Sequence, residues 1–218
     1  MPVFMPRLTP ALEAVLLPAY APCIEFAEAC RRDMCWAPAA GHVPRGFCGA
    51  TSSLSEVQLV LVGAEPGDPH KGENYPAGTT PVDQLRSVYA YACECFRSGK
   101  DLYHQNMRHI LELCWPDEGF EQHMCKAWIT DSVLCSAAVE GGLVPRNVAY
   151  ACRRRYLDAQ LALFPRATVV ALGHKARKRL AGRPEVIRAF AVAPPGCNFH
   201  GAQESWHEVA RVVRSRAA

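Results

Sequence analysis

The stretch Val57-Gln-Leu-Val-Leu-Val-Gly-Ala-Glu-Pro-Gly67, followed by Asp68-Pro69-His70, constrains the fold of this chain more than any other segment. Val57, Leu59, Val60, Leu61 and Val62 make a nearly continuous apolar run. A strand of that kind is covered on both faces, as in a parallel sheet flanked by helices. Gly63 and Gly67 let the backbone approach a ligand closely. Glu65 and Asp68 fall just past the strand's carboxyl end, where open α/β sheets bind their ligands. A carboxylate placed there has the chemistry to orient or deprotonate water. An ordinary strand-to-helix turn with solvated acids would carry the same residues, so both readings stay open on this segment alone.

Around that strand the pattern alternates. Thr9-Pro10 reads as an N-cap followed by proline at the first helical position, and helical segments fill much of residues 10–34. Residues 36–56 form a long loop, rich in proline and glycine, with room for one short strand. Thr80-Pro81 opens a helix with Leu85, Val88, Ala92 and Cys95 on one face, and Met107, Ile110, Leu111 and Cys114 mark another. Further strands are expected at Ala127 to Leu134, Thr168 to Leu172 and residues 188–193. A helix from Pro145 carries Val148, Cys152, Leu157 and Leu161, a short basic helix follows Gly173, and a last helix covers residues 203–216. This predicts an α/β fold, a three-layer α/β/α sandwich around a central four-stranded, mostly parallel sheet. With 218 residues, half of them apolar, a single domain over 1–218 is expected, with residues 1–50 as a helical and loop N-terminal extension.

Composition narrows the partners. The formal net charge is only +3, but Arg153-Arg-Arg155 and His174-Lys-Ala-Arg-Lys-Arg179 concentrate positive charge. Such runs serve either a phosphate-facing edge or solvated helix faces. Eleven cysteines is a high and odd number, which fits a reducing cytoplasm with some metal-ligating and some small core residues better than a disulfide framework. No secretory leader is expected, because the apolar stretch from Ala11 to Ala21 contains Glu13 and Pro18. No segment is long and apolar enough to span a membrane. The phosphate-binding Gly-x-x-x-x-Gly-Lys-Ser/Thr loop, Gly-x-Gly-x-x-Gly, the Gly-x-Ser-x-Gly elbow and the zinc-deaminase pattern are all missing.

The order of motifs resembles the uracil-DNA glycosylase superfamily, most closely its iron–sulfur-containing bacterial and archaeal branches. Gly63-Ala-Glu-Pro-Gly67 matches the family's Gly-x-x-Pro-Gly, and Asp131-Ser-Val-Leu-Cys135 stands where relatives have Asn-x-x-x-Cys. Cys152, Tyr156-Leu157 and Gln160-Leu161 follow in the family's spacing, and then Pro165 to Ala176 matches Pro-x-x-x-Val-Val-x-Leu-Gly-x-x-Ala. The match covers roughly residues 30–180. The family's second catalytic motif, His-Pro-Ser, is replaced by Ala193-Pro-Pro-Gly-Cys-Asn-Phe-His-Gly201, and the asparagine that reads the uracil edge is Asp131.

The resemblance implies a monofunctional enzyme, a monomer that hydrolyses the N-glycosidic bond of deoxyuridine in DNA. Such an enzyme takes the nucleotide out of the stack and supports a leaving uracilate. By position, Glu65 would handle the water, with Asp68 in reserve. Ala64, Gly67 and Tyr75 would line the base pocket, Tyr75 by stacking. His200 or Asn198 would donate to uracil O2, and Phe199 could wedge into the stack. Some relatives carry tyrosine at the place of Gly67, where it blocks the thymine methyl, so methyl exclusion has no assigned residue. Asp131 is a physical puzzle: an ionised carboxylate only accepts, which suits N3–H but opposes O4. Either it is protonated, or a backbone N–H serves O4, or its role is structural. The rivals are a uracil or damaged-DNA binding protein without turnover, and an unrelated nucleotide- or metal-binding module.

The resemblance also implies a [4Fe–4S] cluster of structural role. Cys135 and Cys152, separated by sixteen residues, would supply two thiolates, and Cys30 and Cys35 the others. Cys23 and Cys48 are substitutes. No Cys-x-x-Cys is present, so the family's compact N-terminal pair is absent in its usual form.

Overall fold

A computed structural model describes residues 7–76 and 78–217. Five strands form one sheet: β1 (Cys48–Gly49), β2 (Leu59–Gly63), β3 (Ala127–Asp131), β4 (Thr168–Leu172) and β5 (Ile187–Ala189), in the order β1-β3-β2-β4-β5. β2 pairs in parallel with β3 and β4, β4 pairs in parallel with β5, and β1 runs antiparallel to β3. The expected count of four strands is therefore one short. The additional strand is a two-residue piece of the 36–56 loop. It depends on Gly49, whose φ of +106° is left-handed and where a Cβ would stand 2.1 Å from the Ala127 carbonyl oxygen.

The central strands behave as their composition demands. Every residue of β2 and β3 is buried. β3 stops at Asp131 rather than running to Leu134. The next amides stay bonded to the end of β2 and its loop, Ser132 N–H donating to Gly63 O at 3.0 Å and Val133 N–H to Ala64 O at 3.1 Å. β5 ends at Ala189 because Phe190 N–H donates to Ser205 Oγ instead of a strand neighbour.

The helices are α1 (Pro10–Leu16), α2 (Pro81–Ser98), α3 (Leu102–Cys114), α4 (Phe120–Lys126), α5 (Arg146–Cys152), α6 (Asp158–Ala162), α7 (Gly173–Arg179) and α8 (Ala202–Ala217). Thr9 and Thr80 cap α1 and α2 as their Thr-Pro pairs predict, each side chain accepting from a backbone N–H of the first turn. The helical segments expected over 10–34 are α1, a 3-10 turn over Leu17–Tyr20 and a π turn over Phe26–Cys30, with Pro18 inside the first turn and Pro22 between the two turns. A second π turn, Arg153–Leu157, separates α5 from α6. Between strands, α4 lies in a segment where no helix was expected. Leu85, Val88, Met107, Ile110, Leu111 and Cys114 are buried. No helix among the described residues is long and apolar enough to cross a membrane.

Candidate active site

A cavity of about 630 Å³ opens at the carboxyl ends of β2, β3 and β4. Gly63 to Asp68, Tyr75, Asp131, Lys175 and Ala191 to Pro194 all line it. The strand-end loop is tied down from several sides. The Ala64 carbonyl accepts from Ser132 Oγ and Arg179 Nη1, both at 2.7 Å. The Gly67 carbonyl accepts from Ser136 Oγ at 2.9 Å and from the Arg45 guanidinium. At Gly67 a Cβ would lie 2.8 Å from Glu140 Oε1, so a side chain there would push the exposed Glu140 carboxylate aside.

Asp131 is 4% exposed and sits at the floor of this cavity. β3 places it opposite Gly63 in the parallel register. Its oxygens occupy the space where two glycines lack side chains: a Cβ would approach Oδ1 to 2.1 Å at Gly63 and Oδ2 to 2.2 Å at Gly46. Burial, and then the Glu65 carboxylate nearby, push its carboxyl up to about 8, against the opposing influence of Arg179 and Arg45. At neutral pH the protonated form therefore dominates. A neutral acid presents one O–H donor and one carbonyl acceptor, the same pair of functions as an amide.

Glu65 is held differently from the expectation of a carboxylate free to manage water. Lys175 Nζ pairs with Oε1, and Arg179 Nη1 lies 2.6 Å from Oε2, approaching without a directed hydrogen bond. Lys175 Nζ also donates to the carbonyls of Gly141 and Gly142 at 3.2 and 2.9 Å. Asp68 is exposed at the rim, its backbone N–H donating to Glu140 Oε1 at 3.1 Å. Tyr75 is buried, its hydroxyl donating to Glu73 Oε1 at 2.9 Å, and burial raises its pKa.

The structure does not bring His200 or Asn198 to the cavity wall. His200 and Asn198 are both exposed, and the lining from that segment ends at Pro194. Phe199 is 61% exposed and lies 6.2 Å from Phe190, which is 41% exposed. Reading the motifs alone misses Arg45, Glu73, Lys175 and Arg179. For Lys175 and Arg179 the signal was present, in the basic run after β4. Arg45 and Glu73 lie in loops, and only the closed fold brings them together, with Arg45 Nε 3.8 Å from Glu73 Oε1.

Among the thiols proposed for the cluster, Cys30 and Cys152 lie near enough to Cys135 to influence its titration. Burial raises the Cys135 pKa, and Cys152, Cys30 and Cys23 raise it further. Burial likewise pushes Cys152 up to about 12, with Cys23 and Cys30 contributing. Cys35 Sγ instead lies 3.7 Å from the Ala137 carbonyl oxygen. Cys48 is also elsewhere, 2.6 Å from Cys93 Sγ. Tyr156 OH donates to Cys23 Sγ at 3.0 Å. No three of the described cysteines have their sulfurs all within 4.8 Å of one another. Four thiolates around one zinc ion would stand about 3.8 Å apart, so the spacing argues against a mononuclear thiolate centre. Cys23, Cys30 and Cys152 are buried and Cys135 is half-buried.

No protein-family model matches the chain, and no curated protein matches its sequence.

Proposed function

We propose that this protein is a monofunctional uracil-DNA glycosylase, acting as a monomer to hydrolyse the N-glycosidic bond of deoxyuridine and leave an abasic site. The observation that carries this reading is the common cavity. Gly63-Ala-Glu-Pro-Gly67, Tyr75, Asp131 and the first two residues of the segment that replaces His-Pro-Ser, Ala193 and Pro194, all meet on its wall. The same reading takes the helices as covering both faces of the sheet, in three layers.

In this mechanism deoxyuridine leaves the duplex and its base enters the cavity. Protonated Asp131 donates to O4 and accepts from N3–H, which resolves the puzzle posed by an aspartate at an asparagine position. Tyr75, fixed through its hydroxyl, supplies a flat face worth on the order of 1–3 kcal/mol if a base stacks on it. The glycosidic bond breaks with its electron pair passing to the base, and water adds to the sugar carbon. Glu65, steadied by Lys175 and Arg179, accepts a hydrogen bond from that water, and the water's proton is passed to solvent. Lys175 and Arg45, paired with Glu65 and Glu73, are the lysine and arginine on the cavity wall, and they are the cations offered to the departing uracilate. They serve where His200 and Asn198 do not reach. Cys23, Cys30, Cys135 and Cys152 hold the [4Fe–4S] cluster, with Cys23 in place of Cys35. The cluster ties the N-terminal extension to the end of β3 and α5, and it is structural.

Incubation with uracil-containing single- and double-stranded oligonucleotides, followed by alkali, tests the proposal. Strand cleavage at uracil is expected. Retention of the oligonucleotide without cleavage would instead favour a binding protein, for which the ion-paired Glu65 is the specific support. If the oligonucleotide is neither cleaved nor retained, the glycosylase reading ends and an unrelated binding module takes its place.

A further inference from the structure

A second group of side chains lines the cavity and has no part in the glycosylase mechanism. His70 follows the strand-end loop, Asp101 is the N-cap of α3, and His104 lies in the first turn of that helix. His70 Nε2 is 3.0 Å from Asp101 Oδ2, and His104 Nδ1 is 2.7 Å from Asp101 Oδ1. One ligand atom from each lies within 4.8 Å of the other two, the only such group of His, Cys, Asp or Glu among the described residues. We propose that His70, Asp101 and His104 bind a divalent transition-metal ion of the zinc type, leaving a fourth position towards the cavity.

Donor chemistry is the first support. Two imidazoles and one carboxylate suit zinc and its first-row neighbours, and three protein ligands with an open position is the arrangement of reactive zinc sites. Size is the second. Bonds of about 2.0–2.2 Å at tetrahedral angles set adjacent ligand atoms about 3.3 Å apart. The two histidine–aspartate separations, each to a different carboxylate oxygen, need to open by about 0.3 and 0.6 Å to reach that spacing.

The shell behind His70 is the third support. Metal-ligating histidines present their other ring nitrogen to an acceptor, which fixes the tautomer. His70 Nδ1 lies 3.3 Å from Tyr91 OH and 3.7 Å from Glu73 Oε2. When Nε2 gives its proton up to bind metal, Nδ1 takes one and has partners waiting. Glu73 is itself fixed, its side chain only 3% exposed, accepting from Tyr75 OH at 2.9 Å and from the His70 backbone N–H at 3.0 Å. The His104 ring is held by aromatic edges, with Phe96 at 4.6 Å and Tyr103 at 5.1 Å between ring centroids. Both imidazoles are thus oriented before any ion arrives.

Calorimetric titration with Zn2+ tests this on the whole chain, comparing the natural protein with Asp101→Asn and His70→Ala. Asparagine caps a helix as well as aspartate does, so Asp101→Asn keeps the start of α3 while removing the charged ligand. The cysteines also take up zinc, so the readout is the difference between proteins. The natural chain should bind one more equivalent than either variant, or bind that equivalent at least about 10-fold more tightly. Thermal melting reports whether each variant is folded. If folded Asp101→Asn and His70→Ala both bind the same equivalents with the same affinity as the natural chain, the three residues are only a hydrogen-bonded helix cap and the site does not exist. The outcome is independent of uracil release, which uses none of the three.

Discussion

Asp131 Oδ1 lies where a side chain at Gly63 would have to begin, 2.1 Å from the position of a Cβ. The glycine of the strand-end motif and the acid at the end of the neighbouring strand are therefore one feature. Gly63→Ala should displace Asp131 or the loop. It should abolish uracil release and lower the melting temperature by several degrees, since about 1 kcal/mol corresponds to a few degrees for a chain of this size. Full activity in Gly63→Ala would separate the two residues.

Asp131 gives stability a pH dependence of unusual sign. Burial and Glu65 raise its carboxyl to about 8, well above the ordinary aspartate value of about 3.9. The folded state thus keeps a proton that the unfolded chain releases. The resulting stabilisation is fully present below about pH 4 and is lost as pH rises towards about 8. Asp131→Asn is neutral throughout and removes it. Between pH 5 and 8 the natural protein should lose stability relative to Asp131→Asn, on the order of 3 kcal/mol, in urea unfolding curves. A difference that stays constant with pH would mean that Asp131 is ionised in the fold.

Glu65 holds two cations, so its removal has two consequences. Glu65→Gln should lower single-turnover uracil release by about 10²–10⁴-fold, the range for a positioned acid or base. Lys175→Met should lower it as well, with Glu65 left in place but less firmly oriented. If Glu65→Gln reacts at the natural rate, the water is managed elsewhere, and the exposed carboxylate of Asp68 becomes the candidate.

The thiol placement makes the cluster ligands testable by iron content. Protein prepared without oxygen should be brown and carry about four iron atoms per chain. Cys23→Ala and Cys135→Ala should lose the iron, while Cys35→Ala should keep it. Iron lost from Cys35→Ala and retained by Cys23→Ala would restore the Cys30-x4-Cys35 pair.

Much of this was legible in the sequence, and the failures have physical causes. The unbroken apolar run of β2 has no other stable place than a covered sheet, and the Thr-Pro caps fix two helix starts. Those signals are local. The two-residue β1 is not local: it exists because Gly49 fits against the Ala127 carbonyl across the sheet. The site divides in the same way. Glu65, Asp131 and Tyr75 were readable from motif order. Their charge environment was not, because Lys175 and Arg179 reach Glu65 from a helix more than one hundred residues away. Spacing favours Cys35 over Cys23 as the partner of Cys30, whereas the contact of Tyr156 OH with Cys23 Sγ joins residues 133 apart and leaves no local signal. The His70, Asp101 and His104 group matches no spacing pattern, since its members come together only when α3 closes on the strand-end loop.

The central claim is that a flipped uracil is cut from its sugar in the cavity floored by Asp131. Quantifying free uracil after a single turnover on a uracil-containing oligonucleotide tests it most directly, with the natural protein and Tyr75→Ala run side by side. Stoichiometric free uracil from the natural chain, with release at least about 10-fold slower in Tyr75→Ala, is the predicted result, because the lost stacking face is worth on the order of 1–3 kcal/mol. No free uracil from folded, iron-replete natural protein on either single- or double-stranded substrate would contradict the account.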